Sequence, residues 1–188
     1  MKNLFIAIRF KIFMLLLLGI FYPFLMTGLA QWLLPRQSNA NWVFVNGTRV
    51  GSSLIGQNFE KKEYFWPRPS AINYNPLPSG GSNLGQMTQD LKKIVEERKN
   101  KLKSLHPDQV EEPPQDLLFA SGSGLDPHIS VEAALYQLKR VALARNLDLE
   151  KVKILVEQFT EGRQLGLFGD PKVNVLSLNI ALDNLNGK

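Results

Sequence analysis

IFMLLLLGIFYPFLMTGLAQWLLP, residues 12 to 35, runs for 24 residues without a charged side chain between Lys11 and Arg36. A helix rises about 1.5 Å per residue, so the run reaches roughly 36 Å, enough to cross a hydrocarbon core of about 30 Å with some tilt. No polar face interrupts it, as one would in a helix packed on a water-soluble core. A cleaved signal peptide shares the positive flank of Lys2, Arg9 and Lys11, but its apolar part is about 7–15 residues long and ends on small side chains. Here Phe21, Tyr22, Phe24, Trp32 and Leu33 are bulky where small residues are needed. The run reads as a retained transmembrane helix. Pro23 removes one amide donor and should kink it, while Gly19, Thr27 and Gly28 leave shallow patches where another helix has room to approach. A plain anchor with lipid on all sides has the same composition.

Positive charges set the direction. Lys2, Arg9, Lys11 and the terminal amine flank the run on one side, and only Arg36 follows it before Arg49. By the positive-inside rule the amino terminus lies in the cytoplasm and the rest of the chain outside. The expected organisation is a cytoplasmic tail at residues 1–11, a transmembrane helix at 12–34 and an extracytoplasmic domain at 35–188. A chain of 188 residues then has room for one domain with its own core. With 44% hydrophobic and 21% charged residues, the whole chain has the composition of a folded protein rather than of a disordered tail. The absence of cysteine excludes disulfides, thiolate nucleophiles and cysteine-built metal sites. A net charge of +5 suits an anionic bilayer as well as a nucleic acid, so it selects neither.

Outside the membrane, WVFVNGTRVGSSLIG places two apolar runs around an Asn46–Gly47 turn signal, which predicts a hairpin. From Gln57 to Gly85, aromatic residues alternate with Pro67, Pro69, Pro76 and Pro78, too densely for a regular helix. An excursion of that length with so many rings has something to pack against and is a candidate for function. Arg68 stands between two prolines as a positioned cation, for an acid of this domain, a partner subunit or an anionic ligand. Ser79, Gly80, Gly81 and Asn83 lie in SGGSNLG, which lacks the lysine and the strand–loop–helix context of a phosphate cradle. Thr88 caps a predicted helix to about Leu105, whose basic face interleaves lysines with Glu96 and Glu97 and carries no aromatic platform for bases. No nucleic-acid partner is expected. A connector, HPDQVEEPPQ, leads to an expected strand, DLLFA. Ser130 and Asp148 cap two further helices, with Gln137, Arg140 and Arg145 off the strictly apolar stripe of the first. A turn at Gly169–Pro171, a short strand at Lys172–Val175 and a closing helix complete the reading. The fold expected is a single transmembrane helix followed by an extracytoplasmic α+β domain with a small sheet and about four helices.

ASGSGLDPHIS, residues 120–130, holds the letters of a catalytic set: Ser121, Ser123, Asp126 and His128. It is not GxSxG on a strand-to-helix elbow, Asp126–Pro127–His128 should point successive side chains apart, and His106 is the only other histidine. Two histidines 22 residues apart, without HExxH or a carboxylate cluster, build no transition-metal site. The same letters make a rigid corner: Gly122 among glycines that allow close approach, an Asp126–Pro127 turn, His128 bonded to a backbone carbonyl or to Asp126, and Ser130 as a helix cap. Such a corner also suits a partner-facing surface.

FYPFLMTGLAQWLLP, GSSLIGQNF, YFWPRPSA, SGGSNLG, ASGSGLDPHIS, QLKRVALAR and GRQLGLFGDPKVNVLSLNIALD occur in this order over nearly the whole chain. In these blocks the chain resembles the C subunit family of the bacterial potassium-importing P-type ATPase complex, Kdp. It departs from that pattern at Gln86, Thr88, Asp170 and Lys172. The resemblance implies a non-catalytic, single-span subunit of the bacterial inner membrane, which meets a channel-like potassium-translocating A subunit, an ATP-hydrolysing B subunit and a small F subunit. It implies a role in assembly and in raising nucleotide affinity, with Gln137 the residue tied to the latter. ATP is used by the complex, and no cofactor is expected on this chain. Arg140, Arg163, Asn174 and Asn179 join the partner-facing or structural set by their place in these blocks. The alternative is a membrane-tethered external module for ion entry or ligand binding. Protease added to intact cells stripped of their outer membrane should cut residues 37–188, and the same residues should be protected in inverted vesicles; the reverse pattern overturns the orientation.

Overall fold

The computed structural model describes residues 2–185, and the chain divides into two compact units, Met1–Ser52 and Ser53–Lys188. In the first, α1 (Lys2–Leu16), a π-turn (Leu17–Phe21) and α2 (Tyr22–Leu33) make one apolar helix of 32 residues with no side chain buried, so residues 2–11 are helical as well. The disturbance expected at Pro23 takes the form of that π-turn. Proline lacks an amide hydrogen and its ring crowds the carbonyl four residues back; a widened turn, in which the Tyr22 amide donates to the Leu17 carbonyl, accommodates it. A single helical turn, α3 (Pro35–Ser38), leads to the hairpin of β1 (Trp42–Val45) and β2 (Thr48–Ser52). Asn46 and Gly47, with φ of 51° and 76°, form the left-handed two-residue turn that matches strand twist. Arg49 lies over the Trp42 ring at 4.2 Å.

The second unit is a mixed α/β domain. Residues 53–88 contribute neither helix nor strand, as the prolines predict, and α4 (Gln89–Leu105) follows with the Thr88 hydroxyl accepting from the Leu91 amide. The expected strand DLLFA is instead a single helical turn, α5 (Gln115–Leu118). Pro114 presets the backbone, the Leu117 amide donates to the Pro114 carbonyl, and the adjacent Leu117 and Leu118 are both buried. Two neighbouring leucines cannot separate a strand from a helical turn by periodicity. Then come β3 (His128–Ser130), α6 (Val131–Arg145), α7 (Leu149–Gln158), β4 (Thr160–Glu161), β5 (Lys172–Asn174) and α8 (Val175–Leu185). β5 is central, antiparallel to β3 on one side and to β4 on the other. There are thus two small sheets where one was expected, because β3 and β4 are too short to leave a period in sequence. Ser130 and Asp148 cap α6 and α7 through the Ala133 and Glu150 amides, and α6 stops at Asn146, which takes the left-handed conformation.

The core is formed by Phe65, Ile129, Val141, Val152, Val156, Val173, Leu178 and Leu182, all essentially enclosed. Removing a side chain such as Leu178 to alanine costs about 2–5 kcal/mol by transfer and cavity terms together. At the end of α4, His106 is buried against the Tyr136 ring, 4.7 Å between centroids. Its Nδ1 lies 2.7 Å from the Leu102 carbonyl, and its Nε2 accepts from Arg140 Nε at 3.2 Å, which requires the neutral ring with its proton on Nδ1. Burial lowers the His106 pKa from its usual 6.5; the Leu102 bond opposes this and the Arg140 charge adds to it. The unfolded chain therefore binds the extra proton first, and the stabilisation is complete above about pH 6.5 and lost as pH falls below it. Unfolding of the full chain in detergent should show reduced stability at pH 5.5 relative to pH 7.5, and His106→Gln should shrink that difference; an unchanged difference removes His106 as its source.

Candidate functional site: a locked segment and an ionic corner

After a turn at Lys62 and Glu63, closed by the Tyr64 amide donating to the Lys61 carbonyl, residues 65–67 form neither helix nor strand and have no neighbouring strand among the described residues; side chains of α6 and α8 take the backbone positions a strand would fill. Asn179 of α8 accepts from the Phe65 amide at 2.9 Å and donates to the Phe65 carbonyl at 3.0 Å. Gln137 of α6 does the same for Trp66, at 2.8 and 3.1 Å. Arg140 donates to the Lys62 carbonyl, to the Tyr64 carbonyl at 3.1 Å and to Gln137 Oε1 at 2.7 Å, and its guanidinium lies 4.7 Å from the Trp66 ring centroid. Arg145 donates to the Glu63 carbonyl at 2.7 Å and pairs with Asp183, which also accepts from the Tyr64 hydroxyl. Gln137 and Asn179 are 0% and 1% exposed, and the Asn179–Phe65 and Arg140–Gln137 bonds are fully buried, while those of Arg145 and Asp183 lie nearer the surface. Burial lowers the Arg140 pKa to about 10, which leaves it charged at neutral pH.

Gln137 and Arg140 were expected off the buried stripe of α6. They lie within it, because their polar ends are spent on backbone and need no solvent. The available signal was spacing: Gln137 falls three residues after Ala134 and four before Val141, and Asn179 four after Val175, all of them buried positions.

Pro67 and Pro69 continue the extended path to the corner. Arg68 Nη1 meets Asp126 Oδ2 at 3.0 Å, the first of the alternatives open to it, and the Tyr74 hydroxyl donates to the Arg68 carbonyl at 2.7 Å. Asp126 Oδ1 accepts from the His128 amide at 3.0 Å and lies 3.6 Å from His128 Nδ1. The two side chains therefore converge rather than diverge, since an aspartate that accepts from the amide two residues on folds the turn back over itself. Beyond His128, Nε2 is 3.8 Å from Glu161, which is 3.7 Å from Lys172. Burial alone would raise the Asp126 pKa; bonds from His128 and Arg68 bring it down to about 2. Its ionic contribution is present above its usual value near 3.8 and lost as pH falls toward 2. An open depression of about 390 Å³ lies over Arg68, Asp126, His128 and Lys172, with Asp116 at its side accepting from the Ser130 amide at 2.7 Å.

The two glycine-rich segments pack backbone to backbone behind this corner. A Cβ at Gly81 would stand 2.9 Å from the Gly122 carbonyl, and one at Gly124, where φ is 69°, would meet Ile72 at 2.5 Å and the Gly80 carbonyl at 2.9 Å. The Ser79 hydroxyl donates to the Ser123 carbonyl, and the buried Ser121 gives its amide to the Pro69 carbonyl at 2.9 Å. Among the described residues no hydrogen bond joins Ser121 or Ser123 to His128, and no three metal-ligating side chains cluster.

Other expected residues have separate places. Asn174 donates to the Ser53 carbonyl and caps α8 through the Ser177 amide, while the Pro127 carbonyl accepts from the Val175 amide. Arg163 pairs with Asp170 at 3.2 Å across the base of an exposed loop. Asn83 is exposed with φ of 52°. Pro23 and Gly28 belong to the other unit, where a Cβ at Gly28 would meet nothing within 4 Å.

Residues 4–184 match the family described as KdpC, K+-transporting ATPase, c chain. The chain belongs to the KdpC family. The KdpC subunit of the potassium-transporting ATPase of Dechloromonas aromatica is 50% identical over 171 residues, 89% of this chain and 90% of that relative. The KdpC subunit of Methylococcus capsulatus is 50% identical over 173 residues, 90% and 91% of the two chains, and that of Geotalea uraniireducens 46% over 191, or 99% and 100%. Membership makes this KdpC chain a non-catalytic accessory subunit in potassium transport. Its long apolar helix and the positive flank before it make it a single-pass membrane protein, amino terminus in the cytoplasm and larger domain outside. Asn179→Ala strands the amide and carbonyl of Phe65 in the core. It should lower the unfolding free energy of the full chain by about 2–4 kcal/mol in denaturant titration; a loss under about 0.5 kcal/mol shows that the lock is dispensable.

Proposed function

We propose that this chain is the assembly subunit of its potassium-transporting ATPase, anchored by residues 12–34 with residues 1–11 in the cytoplasm, and that its domain, residues 35–188, docks on the external side of the channel-like A subunit. The observation that carries this reading is the rigid presentation of the ionic corner, with Arg68 and Asp126 about one third exposed on a backbone already locked from behind. A preformed surface binds without the ordering cost of a mobile loop. Pro23 and Gly28 serve contacts within the bilayer, and Asn83 and Arg163 lie on loops open to a partner. The A and B subunits are the partners, with the F subunit completing the complex where it is present.

ATP is hydrolysed by the B subunit. Gln137 has its oxygen and nitrogen engaged and no exposure, so an influence on nucleotide affinity passes through subunit contacts as a coupling free energy between sites. A tagged chain extracted in mild detergent should bring down the A and B subunits. Asp126→Ala and His128→Ala should each reduce that recovery several-fold while the variant stays membrane-bound. Recovery of intact complex with a chain lacking residues 1–36 refutes the anchoring role, and full recovery with both corner variants refutes docking through that face.

A further inference from the structure

Next to the corner, the proline-rich excursion and α4 flank a cleft of about 180 Å³. Trp66, Pro67 and Tyr74 give it flat apolar walls, and Arg98, Lys101 and Glu60 bring charge to it. Arg98 Nη1 donates to the Leu118 carbonyl at 2.7 Å, which fixes the guanidinium, and Lys101 Nζ stands 5.0 Å from the Trp66 ring centroid. Among the described residues neither cation forms an ion pair, whereas Lys99 and Lys103 on the same helix both pair with Glu112. Glu60 is held by the Asn58 amide nitrogen at 2.9 Å. Burial pushes the Tyr74 hydroxyl up to about 12, so it stays neutral beside Arg98.

We propose that this cleft binds a carboxylate borne on a single planar apolar ring, the carboxylate between Arg98 and Lys101 and the ring against Trp66 and Pro67. Two cations against one carboxylate leave one net positive charge in the wall, which matches a monoanion and disfavours a polyphosphate. A dry cavity of about 150 Å³ holds one benzene, so a cleft of about 180 Å³ has room for one ring and its acid group. Guanidinium and carboxylate form strong charge-assisted bonds, and a cation over an aromatic wall keeps a partly desolvated site favourable to the acid. The same chemistry comes from a free small acid or from the carboxyl end of a peptide chain. The proposal does not rest on the assembly role.

Full-length chain in detergent, followed by the indole nitrogen resonance of Trp66, tests the assignment. The probes are phenylacetate, an N-acetylated dipeptide ending in phenylalanine with a free carboxyl group, and the amide of each. At least one carboxylate should give a saturable shift, with its amide at least tenfold weaker, and Lys101→Met and Arg98→Gln should each weaken it about tenfold. Saturation by phenylacetate alone supports a free small acid as the source, by the dipeptide alone a chain end, and by both the ring-and-carboxylate chemistry itself. Arg98→Gln also loses its bond to Leu118, so Lys101→Met, whose side chain forms no hydrogen bond among the described residues, is decisive. No saturable shift, equal response to the amides, or unchanged affinity in Lys101→Met overturns the proposal.

Discussion

The domain depends on how it satisfies the backbone of residues 62–67. Phe65 has to reach the centre of the core, and a chain that enters a core brings peptide groups whose burial costs free energy unless they are paired. A strand alongside would pair them, but the surrounding elements are helices. Gln137 and Asn179 supply planar amides that carry a donor and an acceptor side by side, as a peptide group does, while Arg140 and Arg145 collect the remaining carbonyls. Those four side chains hold the part of the excursion that enters the core, and both the ionic corner and the aromatic cleft are built on it.

The corner uses the rigidity that the lock provides. Arg68 is reached through Pro67, directly after the locked Trp66, and its partner Asp126 follows the glycine segment packed against residues 79–81. Each side of the ion pair is thus delivered by a restrained backbone. That matters because partly exposed ion pairs gain little if long side chains must first be ordered. The low pKa of Asp126 reflects this geometry: two neighbouring donors outweigh the cost of its burial.

What could be read from sequence follows from how each element stores its information. The membrane helix, the Asn46–Gly47 hairpin and the capped helices α4, α6 and α7 carry local signals, a charge-free run, a turn dipeptide and an N-cap before an apolar period, and these were legible. Helix α5 and strand β4 are too short for periodicity, and DLLFA reads equally as strand. A positioned cation at Arg68 was legible from its flanking prolines, with an acid of its own domain as one of three possible partners; that the acid is Asp126 was not. The roles of Gln137, Arg140 and Asn179 were not, since bonds from side chain to distant backbone leave no trace in the pattern of residue types. For Asp126 and His128 the sequence left both divergence and a bond open, and the amide bond that folds the turn back decides between them.

The π-turn at Leu17–Phe21 carries a consequence for the membrane face. One additional residue in a turn rotates everything beyond it by about 100° relative to an uninterrupted helix. Thr27 and Gly28 therefore point about one residue's rotation away from the direction that counting onward from α1 would give. A heptad or small-residue pattern traced straight through this segment assigns the wrong stripe to its second half.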